Sequence, residues 1–202
     1  PQWQGIVSST PHDYLLWVDA NLAALKTDRV MHRELSYRTE HLEDGGTVAH
    51  AKMQYKHTGT FDWRTTRYRT YARVFVPQGS VLQSVSRGGV EIPLKDITQE
   101  EDLGKVSFGT FVVIEPGTTA DLTFRYLLPA SISQEIKQGS YKLLVQKQIG
   151  VKNSDLRVSI DMAEPLIAAM PAESEAAYGD DQYELATPLD KDVYISVQSA
   201  PR

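Results

Sequence analysis

Residues 30–58 read VMHRELSYRTEHLEDGGTVAHAKMQYKHT. Apolar side chains recur at alternate positions in each half of this stretch, with Leu35 and Tyr37 in the first half and Met53 and Tyr55 in the second. Alternation with a period of two is typical of a β-strand that buries one face. Two consecutive glycines separate the halves, and a short loop with glycine in the left-handed region commonly closes a hairpin. The stretch therefore predicts an antiparallel β-hairpin.

The register of this hairpin follows from taking residues 43–47 as the turn, with a three-residue loop. On the buried face this pairs Leu35 with Tyr55 and Tyr37 with Met53. A shift by one residue would place apolar side chains opposite polar ones. The outer face then carries two pairs of complementary polar side chains, which favour the same register. These outer pairs are Glu34 with Lys56 and Glu40 with His50.

Similar alternation continues through most of the chain, and turns rich in glycine and proline separate the segments. Helical patterns are short, at Ser131–Lys137 and at Asn21–Lys26. Many short strands at regular spacing predict an all-β fold, an antiparallel β-sandwich that is immunoglobulin-like in general build and has little helix. Further strands are predicted at Tyr14–Asp19, Arg67–Val76, Val81–Ser86, Val106–Ile114, Ala120–Leu128, Tyr141–Gln148 and Leu156–Asp161.

The domain organisation follows from where the alternation begins and ends. Residues 1–13 form a lead-in segment, and residues 14–161 form the main β-sandwich. Residues 162–181 are rich in Ala, Pro and Glu and form a connection, which either packs on the sandwich or extends freely. Residues 182–198 are predicted to form a terminal β-hairpin packed on the same domain.

Composition excludes several classes of function. The chain has 202 residues, a net charge of -5 and no cysteine. Thiol catalysis and cysteine zinc sites are therefore excluded, and an acidic chain is a poor candidate for binding nucleic acid. No apolar run approaches the roughly 18 residues that span a bilayer, and no signal peptide is present. Because the chain starts at Pro1 rather than Met, we expect it to be an excised or processed fragment.

A polar loop follows the first predicted strand and carries Asp19, Asn21, Lys26 and Asp28. Its beginning is similar to that of a calcium-binding loop, but Ala23 stands where a third oxygen ligand is needed. The favoured interpretation is that the polar side chains accept hydrogen bonds from loop amides and fix the turn.

A basic and aromatic segment stands out in this acidic chain. Residues 61–73 read FDWRTTRYRTYAR and hold four arginines and four aromatic side chains. Alternation places Arg67, Arg69 and Arg73 on one strand face, where guanidinium groups suit carboxylate or phosphate oxygens. An exposed Trp63 would stack on a sugar or a base. The simpler alternative is a solvent-exposed face whose arginines form ion pairs with some of the 26 acidic residues.

No catalytic residue, metal ligand or cofactor is predicted, because no nucleophile elbow, phosphate loop or dinucleotide motif is present. The histidines do not have the spacing of metal ligands; they are His12, His32, His41, His50 and His57.

A covalent bond between a lysine and an asparagine or aspartate, as in some bacterial surface modules, is a further alternative. The lysines near strands are Lys26, Lys142 and Lys147, and the asparagines are Asn21 and Asn153. Ordinary surface lysines are the simpler interpretation.

Four blocks of the chain resemble a bacterial family known as domain of unknown function 4012. The first block comprises DYL, VDANL and KTD within residues 13–28. The others are YARVFVPQGS at residues 71–80, FRYLLP at residues 124–129 and YKLLVQKQIG at residues 141–150. The loop after Asn21 is often glycine-rich in that family, whereas Ala23 and Ala24 stand here, which puts in doubt a close backbone approach to a ligand.

The resemblance implies location and architecture and carries over no catalytic residue. Proteins of that family look membrane-anchored, with a large part outside the cytoplasm, and this chain would be the C-terminal portion, with its anchor elsewhere. We therefore expect a non-catalytic structural or interaction module of a bacterial surface protein, which contacts a cell-envelope polymer or another surface protein.

The alternative is an enzyme, or an accessory domain of one, that acts on cell-envelope glycans and has its chemistry in the loop of residues 19–28. Such an enzyme would have a concave pocket near that loop, with converging groups whose pKa values are shifted.

Overall fold

A computed structural model describes residues 6–23, 25–174, 177 and 179–200. The helices that can be bounded within these residues are α1 (Ala130–Lys137) and the 3₁₀ helices at Thr27–Val30 and Leu94–Asp96. The strands are β1 (Asp13–Asn21), β2 (Met31–His41), β3 (Thr47–His57), β4 (Tyr68–Pro77), β5 (Val81–Arg87), β6 (Val90–Ile92), β7 (Thr98–Asp102), β8 (Lys105–Ile114), β9 (Thr119–Leu127), β10 (Ser140–Gln146), β11 (Ser154–Asp161), β12 (Leu166–Met170), β13 (Gln182–Pro188) and β14 (Val193–Ser199).

The strands form two seven-stranded sheets that pack face to face, which confirms the predicted all-β sandwich. Sheet A has the order β12-β14-β10-β1-β4-β8-β7, and sheet B has the order β13-β11-β2-β3-β9-β5-β6. The predicted antiparallel pairing holds between the other neighbouring strands, but β1 pairs with β10 and β2 pairs with β11 in parallel. These partners lie far apart in the sequence, so no turn signal between them could reveal the pairing.

The hairpin of residues 30–58 is present as β2 and β3, but its register differs from the prediction by two residues. Leu35 faces Met53, and Tyr37 faces Ala51. The amide of Leu42 donates to the carbonyl of Gly46 at 2.9 Å, so the three-residue loop begins one residue earlier than predicted. Each residue therefore keeps its predicted face of the sheet while its cross-strand partner changes.

The outer pairs of this hairpin change with the register. Glu34 faces Gln54 rather than Lys56. Glu40 faces Val48, but its Oε2 atom still lies 3.1 Å from Nε2 of His50, so this contact is made diagonally.

The C-terminal part of the chain departs from the predicted hairpin. Strand β13 pairs with β11 in sheet B, whereas β14 pairs with β10 and β12 in sheet A. The two strands therefore belong to different sheets. The connection of residues 162–181 contains β12 and thus contributes an edge strand to sheet A. Within it, residues 175, 176 and 178 lie outside the described residues, as do residues 1–5 of the lead-in segment.

The core lies between the sheets and is built from the inward faces of both. The rings of Trp17 in β1 and Phe124 in β9 meet edge to face, with 5.5 Å between their centroids. Helix α1 carries Ile132 and Ile136 into the same core. Among the described residues, no helix has both the length and the apolar character needed to cross a bilayer.

A second, smaller apolar cluster lies on the outer face of sheet A. It contains Tyr14, Leu16, Phe75 and Leu144, and Val7 of the lead-in segment packs against it. Gln146 holds the lead-in segment in place. Its side chain accepts the amide of Ser8 at 2.9 Å and donates to the carbonyl of Ile6 at 2.8 Å.

Candidate functional site

The outer faces of the two sheets differ in chemistry. On sheet B the outward residues of β2 and β3 are polar, as at Glu34, Arg38, His50 and Lys52. On sheet A the outward side chains of β4 and β8 are aromatic, aliphatic or cationic. We call one stripe of them the arginine–aromatic track; it consists of Arg69, Tyr71, Arg73 and Phe75 of β4 and Phe111 of β8.

Alternation along β4 produces this track. Tyr68, Thr70, Ala72 and Val74 are buried towards sheet B. The residues between them must therefore point outward. Strand β8 pairs with β4 so that Phe111 lies directly opposite Tyr71.

Tyr71 and Phe111 form the centre of the track. Their ring centroids lie 4.8 Å apart, and Phe111 is 65% exposed. A Cβ atom at Gly109 would collide with the hydroxyl and ring of Tyr71. The absence of a side chain at Gly109 therefore lets the Tyr71 ring lie against β8.

Arg73 lies between two aromatic rings of the track. Its guanidinium carbon is 5.6 Å from the centroid of the Tyr71 ring and 5.3 Å from that of Phe75. Its Nη1 atom is 3.6 Å from Oε2 of Glu100. Within the described part of the chain, its buried Nε atom has no hydrogen-bond partner. The two rings and Glu100 thus hold the guanidinium in place on this face.

Beyond Arg69 the track reaches a loop of residues 58–67, which we call the aromatic loop. Its Trp63 is 79% exposed, and the guanidinium carbon of Arg64 lies 4.1 Å from the centre of that ring. Phe61 is 62% exposed, and the guanidinium carbon of Arg67 lies 5.9 Å from the centre of its ring. The loop therefore repeats the pairing of cation and ring found on β4.

Hydrogen bonds hold the aromatic loop in shape. The Asp62 carboxylate accepts the amides of Arg64 and Thr65, each at 2.7 Å, and these bonds lower the pKa of Asp62. The buried His57 contacts both ends of the loop. Its Nε2 lies 2.8 Å from the carbonyl of Thr66, and its Nδ1 accepts the amide of Gly59 at 3.1 Å.

An open groove of about 510 Å³ lies where the aromatic loop meets the polar loop of residues 19–28. Its walls are formed by Leu22, Ala23, Leu25, Phe61, Thr66, Arg67 and Arg69. Of the four residues predicted to bind ligand, Arg67 and Arg69 line this groove. Trp63 belongs to the same loop, and Arg73 lies farther along the track.

The two arginines of the groove differ in their partners. The Nε atom of Arg67 is 3.2 Å from Oε1 of Glu115. Among the described residues, Arg69 has neither an ion pair nor a side-chain hydrogen bond. The interpretation of a solvated, ion-paired face therefore describes Arg67 better than Arg69.

Sequence reasoning did not identify Phe61, Tyr71 and Phe111 as site residues. The alternation that places Arg69 and Arg73 on one face of the strand also places Tyr71 between them on that face. The sequence pattern could therefore have identified Tyr71. Phe111 could not be found in this way, because its position depends on the register between β4 and β8.

The polar loop leads into a buried ionic cluster rather than an open site. Asp19 faces the core, and its Oδ2 atom accepts Nε of Arg33 at 3.1 Å. Its Oδ1 atom accepts the hydroxyls of Tyr55 at 2.7 Å and Thr70 at 3.1 Å. Burial raises the pKa of Asp19, while Arg33 and the two hydroxyls act in the opposite direction. A hydroxyl of Tyr68 also accepts from Arg33, at 2.8 Å.

The other predicted residues of the polar loop lie around this cluster. Asn21 accepts the amide of Ala23 at 3.0 Å, as the turn interpretation expects, and donates to Asp28 at 2.8 Å. Asp28 also accepts from Arg33, at 2.6 Å. Lys26 is exposed, and its backbone amide donates to the carbonyl of Arg64 at 2.9 Å, which joins the polar loop to the aromatic loop.

A second buried carboxylate lies at the start of β1. Asp13 accepts hydrogen bonds from the hydroxyls of Tyr37 and Tyr141 and, at 2.7 Å, from the amide of Tyr14. Burial raises the pKa of Asp13 to about 6, and the three hydrogen bonds oppose this shift. Asp13 shares its face of β1 with Leu15 and Trp17, so its inward orientation could have been predicted from alternation.

The buried clusters around Asp13 and Asp19 can be compared with the substrate pocket that an enzyme would have near the polar loop. Converging groups with shifted pKa values are present near the polar loop, but the cavity beside Asp19 has a volume of only about 20 Å³. Such a volume holds about one water molecule. The cluster is therefore arranged to link the two sheets and lacks a space for a substrate.

Two further alternatives have no geometric support. Both carboxylate oxygens of Asp19 are taken by protein donors, so they are not free to begin a calcium loop. Over the described residues, no group of three or more His, Cys, Asp or Glu side chains could hold a metal ion. The Nζ atom of Lys147 donates to the carbonyls of Gln148 and Val151 rather than to a carboxylate or carboxamide.

Comparisons with known proteins inform the fold alone. No family model and no curated protein sequence matches the chain. The chain is similar in structure to a Legionella pneumophila protein proposed to bind a nutrient, with a TM-score of 0.52 and 7% identity over 92% of this chain and 71% of that one.

Two enzymes resemble the chain more weakly. Yeast LTA4 hydrolase in complex with Bestatin gives a TM-score of 0.41 at 11% identity and is covered over only 31% of its length, against 89% of this chain. An M1 zinc metallopeptidase from Deinococcus radiodurans gives 0.35 at 11% identity, over 89% of this chain and 44% of its own. At these scores neither likeness carries an argument about this chain.

Proposed function

We propose that this chain is a non-catalytic interaction module of a bacterial surface protein, lies outside the cytoplasmic membrane, and contacts an anionic polymer of the cell envelope. In this proposal the sandwich acts like an immunoglobulin-like module, as a rigid support that presents one face. The arginine–aromatic track and the adjoining aromatic loop form that face. The location rests on the resemblance of the four sequence blocks to a bacterial surface family.

The observation that carries the proposal is a concentration of cations and exposed rings on one face of an acidic protein. The net charge is -5, yet Arg64, Arg67, Arg69 and Arg73 all lie on this face or in its loop. A local positive surface attracts an anionic polymer even when the whole molecule is acidic.

The state of the arginine donors also supports the proposal. A guanidinium group has five N–H donors, which suit carboxylate and phosphate oxygens. Within the described residues, Arg69 and Arg73 donate no hydrogen bond. An anionic ligand would satisfy the donors of Arg69 without breaking an existing bond, whereas at Arg73 it would compete with the ion pair to Glu100.

The alternative of an enzyme acting on envelope glycans has less support. Its chemistry was expected in the polar loop, where the carboxylates of Asp19 and Asp28 are bound to Arg33. The groove beside that loop is lined by Leu22, Leu25 and Phe61 together with arginines, and none of the described residues in its walls carries a carboxylate. General acid–base catalysis needs a titratable group within reach of the substrate.

The test is binding of the chain to purified anionic envelope polymers at low and moderate salt. The variant Arg67→Ala/Arg69→Ala/Arg73→Ala should lose most of the binding. A matched control, Arg38→Ala/Arg87→Ala/Arg157→Ala, removes three exposed arginines from sheet B and should bind like the unmodified chain. Binding should also weaken as salt rises, because exposed charges are screened.

Equal losses in the two variants would show that net charge, rather than the track, determines binding. Failure of the unmodified chain to bind any anionic polymer would overturn the proposal. A structural support without this ligand would then be the better description.

A further inference from the structure

The outward side chains of β4 alternate between cation and ring along the strand. Their order is Arg69, Tyr71, Arg73 and Phe75. Alternate residues of a strand are about 7 Å apart, so the two guanidinium groups project about 14 Å apart, with an aromatic ring between them. Phe75 is buried, so a ligand that lies along β4 meets the charge of Arg69, the ring of Tyr71 and the charge of Arg73 in turn.

Neighbouring residues widen this pattern at Tyr71 and extend it beyond Arg69. Phe111 widens the ring position of Tyr71 into a platform of two side chains. Beyond Arg73, Phe75, Lys105 and Tyr14 are buried, so the accessible part of the pattern ends at Arg73. At the opposite end, Arg67 lies over the ring of Phe61. The pattern therefore continues beyond β4 at that end.

The rings and the cations are fixed to each other. Arg73 is held between Tyr71 and Phe75, so a ligand group bound to its guanidinium lies beside the Tyr71 ring. A chain of phosphates would satisfy the guanidinium groups, but it offers no ring to pack on the aromatic side chains. A sugar ring has an apolar C–H face that packs on an aromatic ring, and an acidic sugar adds a carboxylate.

We infer that the polymer is an acidic polysaccharide that lies extended along β4, with sugar rings packed on Tyr71 and Phe111 and acidic groups bound to Arg69 and Arg73. This inference rests on the proposed function and specifies its ligand class. It assigns the central role to Phe111, which carries no charge and whose loss leaves the electrostatics of the face unchanged.

Three soluble probes separate charge from ring. Polygalacturonate has sugar rings with carboxylates, its methyl ester has the rings without charge, and inorganic polyphosphate has charge without rings. The chain should bind polygalacturonate, and it should bind both other probes at least tenfold more weakly. The variant Phe111→Ala should weaken polygalacturonate binding about fivefold or more, as is common for an aromatic anchor at an interface. Phe111→Tyr should retain binding.

The possible results distinguish the inference from the proposed function. If polyphosphate binds as well as polygalacturonate, or if Phe111→Ala has no effect, the inference is wrong while an anionic ligand stands. If the methyl ester binds as well as polygalacturonate, or if none of the three probes binds, both are wrong. An unchanged melting temperature of Phe111→Ala would show that its loss of binding is not a loss of fold.

Discussion

The carboxylate of Asp13 on β1 and the hydroxyl of Tyr37 on β2 join the two sheets through a hydrogen bond at a site with no access to solvent. Six residues farther along β1, Asp19 makes the equivalent contact with Tyr55 on β3. Both aspartates lie on the inward face of β1, so this one strand ties sheet A to sheet B at two points. The two sites differ in charge, because Arg33 accompanies Asp19, whereas the partners of Asp13 among the described residues are two tyrosine hydroxyls and a backbone amide.

Asp13 should make the stability of the fold depend on pH. Burial raises its pKa from 3.8 to about 6, so between these values the folded chain binds more protons than the unfolded chain. The free energy of unfolding should therefore fall as pH rises from about 4 to 7, by up to about 3 kcal/mol from this group. The variant Asp13→Asn should lack this contribution.

Urea unfolding of both proteins across this pH range measures the effect, because the difference between the two curves isolates Asp13. Asp155→Asn, at an exposed position on β11, controls for the removal of a carboxylate. A difference curve that stays level or rises with pH would contradict the assignment.

Arg33 should be essential to the Asp19 cluster. Replacing it with methionine leaves a buried carboxylate without its cation, and breaking a buried ion pair in this way costs about 3–5 kcal/mol. The double variant Asp19→Asn/Arg33→Met should lose less stability than the sum of the single variants, because neither charge is left alone. Chemical denaturation of the four proteins gives the coupling energy, and additive losses would show that the two groups act independently.

Gly109 should be needed for the shape of the arginine–aromatic track. In Gly109→Ala the new methyl group collides with Tyr71, so the ring must move and polygalacturonate binding should fall. In a Tyr71→Ala background, which already lacks the ring, the same glycine substitution should have little further effect. Binding affinities of the two single variants and the double variant decide this, and a full additional loss in the double variant would place the role of Gly109 elsewhere.

The connection of residues 162–181 should resist proteolysis along β12. Four of its residues pair with β14, and the hydroxyl of Tyr183 donates to the carbonyl of Pro171 at 3.0 Å. Limited digestion with thermolysin should leave residues 166–170 intact under native conditions. Tyr183→Phe should make this stretch easier to cut. Rapid cleavage there in the unmodified chain would indicate that the connection extends freely.

Alternation within single strands predicted which residues face the core far better than it predicted which strands pair with each other. The period of two is a property of each strand alone, so the hairpin of residues 30–58 and the outward arginines of β4 were assigned to the correct faces. The predicted register of the hairpin was wrong because either of two adjacent glycines could take the left-handed position of the turn. In the structure Gly45 takes it, with a φ of 82°.

Pairing between distant strands has no local signal. Nothing in the chemistry of residues 182–199 shows that β13 joins sheet B while β14 joins sheet A. The same limit applies to the candidate site, where three of the arginines were identified and their neighbour Phe111 was missed. Asp13, Leu15, Trp17 and Asp19 share one parity, so alternation along β1 was sufficient to predict that both aspartates face inward.

The position of β1 has a consequence for the order in which the molecule is made. The first strand of the sequence lies in the interior of sheet A, between β4 and β10, and Leu16 pairs with Gln146. Because synthesis runs from the amino end, β1 cannot pair with β10 until residue 146 has emerged from the ribosome. Contacts between residues so distant in sequence slow folding. Sheet A should consequently be completed only in a late step of folding, after β10 has emerged.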